Sequence, residues 1–273
     1  MNELDKIKEI QGKILSHSES GLIFRTFSES ICELHMSNPV FYNHIFKYSR
    51  INTLSVLMSL LFSEKVNSLT DFYKICSENN FSGKNNAISL MDFMIYSERI
   101  TLGKEKDRRK KTPVLTDKGR DDLNSIMKVF IKSLYFYDNN LIEEVVDTDF
   151  YYKKYYDNAA LLIDVKPEWF NVDKFAREIY TKSSGMAFIL MIYKDIVVEK
   201  IKAEDALRGS YFSNFSYDLG ISNSHALNLL AELVDSEVII KDEREYKIKT
   251  DFVGGVEKFI SSYLATVYFL IFR

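Results

Sequence analysis

The chain has 273 residues, 46% of them apolar and 27% charged. That balance excludes a disordered or collagen-like polymer and supplies a sizeable core for one large domain or two small ones. The formal net charge of -3 excludes nucleic-acid binding by bulk charge, so any such role depends on where the cations are placed.

The first residues, MNELDKIKEI, are charged and helical in pattern rather than a secretory leader. Cys32 and Cys76 make neither a disulfide framework nor a CxxC motif, which points to a reducing, cytoplasmic setting. Phe41 to Ser49 belongs to a helix, and Thr53 to Ser63 is an apolar helical run. Residues 82 to 100, SGKNNAISLMDFMIYSERI, read as a helix running into a strand. At 100° per residue, Ala87, Ile88, Leu90, Met91, Met94 and Ile95 share one broad face and form core. Asn85, Ser89, Asp92 and Tyr96 lie opposite, flanked by Asn86 and Phe93. Next comes KEKDRRKK, residues 104 to 111, with six basic and two acidic residues. A short extended run follows, ending in Leu115-Thr116-Asp117-Lys118-Gly119, and then an amphipathic helix from Asp117 to Tyr137.

Helix, strand, basic loop, strand, helix is the layout of a winged helix-turn-helix. Asp107, Arg108 and Arg109, followed by Leu115, Thr116 and Gly119, make the chain resemble the MarR family of bacterial transcription regulators. Pro113 departs from that family's apolar strand residue, and an edge strand tolerates it because one side has no ladder bond to lose. The resemblance implies that the loop is a DNA-contacting wing, with Asp107 holding an arginine, and that the preceding helix enters the major groove. Lys106, Arg108, Arg109, Lys110 and Lys111 are the wing candidates, since arginine in a narrow A·T-rich minor groove meets enhanced negative potential. On the helix, Lys84, Asn85, Asn86 and Ser89 are the candidates, because asparagine pairs bidentately with adenine and lysine reaches phosphate or guanine. Ser82 and Asn85 also suit a helix N-cap, so both readings stay open for the asparagines.

Between residues 138 and 149 there are five acidic residues and no basic one, and then YYKKYYDN. That segment is too aromatic for a flexible linker and is expected to pack against a domain. A second copy of the pattern then appears at an offset of 139, where SHALNLLAELVDSEVI (224 to 239) matches NNAISLMDFMIYSERI (85 to 100). Both contain Ala and Leu at shared core spacings and both end in Ser-Glu before a β-prone run. Val238 to Lys241 and Glu245 to Lys249 flank the second turn, KDEREYK, and Met186 to Val197 answers Thr53 to Ser63. The expected fold is therefore mainly α with small β-wings. It comprises two winged helix-turn-helix units, 20 to 137 and 165 to 273, joined by 138 to 164 and flanked by long helices. In the second unit Ser224, His225, Asn228 and Arg244 are the DNA candidates. Glu232 and Asp235 weaken that face, and residues 241 to 249 hold four basic against three acidic residues.

The apolar run Phe259 to Phe272, at fourteen residues, falls short of a membrane span and reads as a buried or interface helix. His17, His35, His44 and His225 show no metal-ligand spacing, and there is no phosphate-binding glycine loop or nucleophile elbow. The expectation is a non-enzymatic protein without catalytic residues, metal or cofactor. Double-stranded DNA is the expected partner, and a sequence-specific transcription regulator the expected function. Phe- and Tyr-rich flanking helices leave room for a small apolar or aromatic effector, and the terminal helices for a homodimer; no membrane partner is expected. A plasmid-type replication initiator and a non-DNA tandem winged-helix adaptor are the alternatives. Cys32 and Cys76 suit buried structural thiols better than oxidant sensors, since no cationic setting surrounds them in the sequence.

Overall fold

The structure, a computed structural model, describes residues 2–62, 68–78, 82–104, 111–141, 148–159, 179–202 and 205–273. These form a mostly helical chain with two small antiparallel sheets. The first half runs α1 (Glu3–Leu15), α2 (Ser20–Ser37), α3 (Pro39–Ile45), α4 (Tyr48–Phe62), α5 (Leu69–Glu78), α6 (Lys84–Tyr96), β1 (Ile100–Lys104), β2 (Lys111–Leu115) and α7 (Asp117–Leu134). Helix α8 (Thr148–Ala159) follows. The second half comprises α9 (Gly185–Val197), β3 (Leu207–Arg208), α10 (Gly209–Ser213), α11 (Phe215–Leu219), α12 (Asn223–Asp235), β4 (Ile239–Asp242), β5 (Glu245–Ile248) and α13 (Asp251–Phe272).

One continuous apolar core spans both halves. Helix α2 packs between α7 and α9, and α13 packs on α1, α7, α8 and α9. Gln11 donates to the Lys258 carbonyl at 3.1 Å and to Ser261 Oγ at 3.3 Å, while Glu3 pairs with Arg273 at 2.7 Å. Helices α1 and α13 therefore run antiparallel. The aromatic segment YYKKYYDN is helical, as its composition against a free linker suggests, and Tyr151, Tyr152, Tyr156 and Ala159 are buried. Helix α13 is longer than the fourteen-residue apolar run anticipated, because its first turns, from Asp251, are amphipathic rather than uniformly apolar. It is long and apolar enough to cross a membrane by length and composition, but 61% of that stretch is buried inside the fold.

Two short contacts place α3 between the halves. Gly220 closes α11 in the left-handed region at φ 61°, and a Cβ there would stand 2.6 Å from Cβ of Pro39. Asn43 on α3 donates to the Leu219 carbonyl at 3.0 Å, and its Oδ1 accepts from Ser184, ahead of α9, and pairs with buried His35 at 2.7 Å.

The two helix-to-strand transitions share their backbone geometry. Helices α6 and α12 each have 13 residues and start and end at the same offset of 139. After α6, Arg99 N–H donates to the Met94 carbonyl at 2.9 Å and Glu98 N–H to that of Ile95 at 3.0 Å, with Glu98 at φ 63°. After α12, Val238 donates to Leu233 at 2.9 Å and Glu237 to Val234 at 2.9 Å, with Glu237 at φ 59°. This is the paired hydrogen-bond pattern of a left-handed C-terminal cap. It accounts for the Ser-Glu ending: each serine hydroxyl donates back into the last turn, and each glutamate takes the left-handed position. The strands that follow pair alike, Ile100 with Leu115 and Ile239 with Ile248. In the second half β3 adds a third strand, pairing with β5.

Leu115-Thr116-x-x-Gly119 also acquires a mechanical explanation. Thr116 caps α7: its Oγ1 accepts from the Gly119 N–H at 3.1 Å and donates to the Glu98 carbonyl at 2.7 Å. Gly119 lies against the Arg99 carbonyl, which a Cβ would approach to 2.4 Å. The motif thus clamps the start of α7 to the turn after α6. Removing the cap by Thr116→Ala is expected to cost about 1 kcal/mol. Gly119→Ala should cost more, because the obstructing atom is backbone. Urea midpoints of the two variants measure this, and a smaller loss for Gly119→Ala would show that α7 can shift without penalty.

Candidate nucleic-acid interface

Helix α6 presents the polar face its sequence implies. Ala87, Leu90, Met91 and Met94 are buried, while Lys84, Asn85, Ser89, Asp92 and Tyr96 are exposed. Ile88 and Ile95 are only partly buried, at the edge of the apolar stripe. The expected caps are not used, because Gly83 occupies the N-cap position with no side-chain bond. Asn86 is half-buried and donates to Ser82 Oγ at 2.9 Å, which makes it a local strut rather than a free base reader. Asn85 is exposed and does not cap, so its amide is available.

A stack of rings fixes the orientation of α6. The Arg99 guanidinium lies 3.9 Å from the Phe41 ring centroid, Phe41 stacks on Phe93 at 5.9 Å, and Phe93 stacks on His44 at 3.7 Å. Arg99 also pairs with Asp122 on α7 at 2.6 Å and donates to the Ser97 carbonyl at 2.8 Å. This largely buried ion pair, in which Arg99 also meets the Ser97 carbonyl and the Phe41 ring, couples α3, α6 and α7. Opening such a pair by deleting one partner costs about 3–5 kcal/mol.

Strands β1 and β2 pair in register from Ile100–Leu115 to Lys104–Lys111, with Pro113 opposite Leu102. A two-stranded ribbon gives Pro113 an outer side that needs no N–H. Lys106, Asp107, Arg108, Arg109 and Lys110 lie outside the described residues, as does the side chain of Lys111, whose backbone ends the ribbon.

The second half places its candidates differently. Ser224, Asn228 and Arg244 are exposed. His225 is half-buried and its Nε2 lies 3.0 Å from the Ser183 carbonyl, so it binds the turn before α9 instead of facing outward. The N-cap of α12 is Ser222, which accepts from the His225 N–H at 3.1 Å. Glu232 pairs with Lys182 at 2.6 Å. Its carboxylate is therefore held against the turn ahead of α9 rather than left as a free charge on the helix face. Arg208 on β3, paired in register with Glu245, adds a cation beside the second turn. Its two-residue strand gives no period in the sequence.

Sequence reasoning also missed Lys47 and Arg50, which flank the start of α4. Arg50 Nη2 donates to Ser89 Oγ at 3.2 Å across the face of α6. Burial, together with Arg50 and Lys47, pushes His44 down to about 4, and burial lowers both cations as well. No periodicity announces these residues, since the signal is a contact between side chains far apart in the chain.

An apolar cavity of about 60 Å³ lies among α2, α4, α7, α8, α9 and α13, with Phe27, Leu54, Met127, Tyr155, Tyr263 and Val267 in its wall. Among the described residues, no group of three or more His, Cys, Asp or Glu side chains is arranged to hold a metal ion. The chain matches no protein-family model, no curated protein and no solved structure.

Cys32 and Cys76 are both buried, and burial pushes each thiol up to about 12. The nucleophilic species is the thiolate, which is scarce so far below that value. Titration of the folded chain with Ellman's reagent at pH 8 is expected to label neither cysteine, and both should react in urea. Rapid labelling of the folded chain would give one of them a reactive setting.

Proposed function

We propose that the chain is a duplex-DNA-binding transcription regulator. In this reading residues 20–137 and 165–273 are two winged helix-turn-helix units, joined by 138–164. The observation that carries it is the polar face of α6, exposed through Lys84, Asn85 and Ser89, next to a β-ribbon whose loop holds the chain's densest basic run. The shared geometry of α6–β1 and α12–β4 supports the tandem arrangement. The resemblance to MarR-like regulators rests on Asp107-Arg108-Arg109 and the Leu-Thr-x-x-Gly clamp. A small apolar or aromatic effector would have to widen the cavity of about 60 Å³ beside α4, since ligand pockets run to several hundred Å³. The paired transitions equally suit a replication initiator with tandem winged helices. Mapping the occupied genomic DNA separates the two, since direct repeats favour an initiator and sites beside promoters a regulator.

The first wing supplies the principal test. Arg108→Ala with Arg109→Ala should weaken duplex binding with little change in melting temperature. It should also flatten the salt dependence, by about one unit of slope for each phosphate no longer neutralised. Fluorescence anisotropy over a salt series measures this, and an unchanged slope would remove the wing from the interface.

The two halves are expected to contribute unequally. The first wing has an excess of four positive charges over residues 104–111, and the second of one over 241–249. Lys84→Ala with Asn85→Ala should therefore reduce specific binding much more than Asn228→Ala with Arg244→Ala, at one salt concentration on one site. Equal losses would mean that both halves engage DNA alike, and a larger loss from the second pair would reverse the assignment.

A further inference from the structure

The halves differ in what faces the lysine ahead of a helix. Lys182 stands in the turn ahead of α9 and is neutralised by Glu232 on α12, at 2.6 Å. Lys47 stands immediately before α4, and the residue of α6 corresponding to Glu232, at the offset of 139 shared by α6 and α12, is Phe93. Phe93 offers a ring, already stacked on His44, and no charge. Arg50 lies in the first turn of α4, with Nη2 on Ser89 Oγ and Nη1 buried without a hydrogen-bond partner. Neither Lys47 nor Arg50 forms an ion pair among the described residues. Two cations thus stand close together beside the exposed face of α6, half-buried and with no carboxylate of the described residues to match them. Confining like charges in this way opposes folding unless an anion joins them.

We propose that Lys47 and Arg50 form a phosphate-binding pair, which grips the duplex backbone beside α6 and fixes how that helix sits in the groove. The proposal rests on the duplex-DNA reading and adds to it a contact outside both helix and wing. Arginine suits the task because its planar fork can hold Ser89 with one nitrogen and phosphate oxygens with others. Ser89, a base-reading candidate by its position alone, then serves to aim Arg50. In the second half Lys182 is already compensated, so a phosphate there would have to displace Glu232 from it.

The test uses the full chain and a mixed-sequence duplex, with affinity measured by anisotropy across a salt series. Lys47→Gln and Arg50→Gln are each expected to lower the salt slope by about one, and Arg50→Lys to retain it. Because Arg50 is partly buried, melting temperatures are recorded for all variants, and Lys47→Gln decides alone if Arg50→Gln does not fold. Wild-type binding with unchanged slopes in the folded Gln variants would overturn the phosphate pair while leaving the DNA reading intact. Failure of the wild-type chain to bind any duplex would overturn both. A fall in slope for Arg50→Lys as large as that for Arg50→Gln would still support the pair and would show that the phosphate contact needs arginine's fork as well as its charge.

Discussion

Everything in this molecule hangs on the apolar contact of α2 with both α7 and α9. Ile23, Phe24, Phe27 and Ile31 on α2 are almost wholly buried, so this helix leaves the two halves little freedom to separate. Arg25, Glu33 and Met36 keep one face of α2 in solvent, while its broad apolar stripe meets α7 and α9 together. Helix α13 extends the same arrangement, lying against α1, α7, α8 and α9 with twelve buried positions along its length. Burial of large side chains contributes roughly 1.5–3 kcal/mol each, so the cost of parting the halves would far exceed that of moving a surface loop.

On that base the local elements were legible to differing degrees. The helix-to-strand turns could be read because their requirements are local: a serine hydroxyl, a residue tolerating positive φ, and apolar residues at helical spacing. Leu115, Thr116 and Gly119 were visible for the same reason, and the structure gives their task as a clamp between Glu98, Arg99 and α7. Gly83 at the N-cap was not legible, because the neighbouring Ser82 and Asn85 are better capping types on propensity alone. His225 and Glu232 looked outward from the helical wheel, yet a wheel places a residue on a face without saying which neighbouring turn covers it. Here the turn at Lys182 and Ser183 does so. The ring stack from Arg99 through Phe41 and Phe93 to His44 was hidden by distance in sequence.

The internal correspondence is thus stronger in backbone than in chemistry. Glu98 and Glu237 occupy the same left-handed position, yet the residues after them diverge: Arg99 enters a buried ion pair with Asp122, and Val238 enters the core. Two like scaffolds have acquired unlike surfaces: Lys182 is matched by Glu232, while Lys47 and Arg50 form no ion pair among the described residues.

Helix α3 gives that pairing a dimension. Its first residue touches Gly220 of α11, its middle holds Leu219 and Ser184 through Asn43, and its far end stacks His44 on Phe93 of α6. Seven residues of helix therefore act as a ruler between the two halves. A helix rises about 1.5 Å per residue and turns through about 100°. Any insertion in α3 would alter the separation of α6 and α11 and, at the same time, swing one of its two end contacts out of line. One added residue would lengthen α3 by about 1.5 Å and turn its far end through about 100° relative to Pro39. The contacts of Pro39 and His44 could not then both be kept without a shift elsewhere.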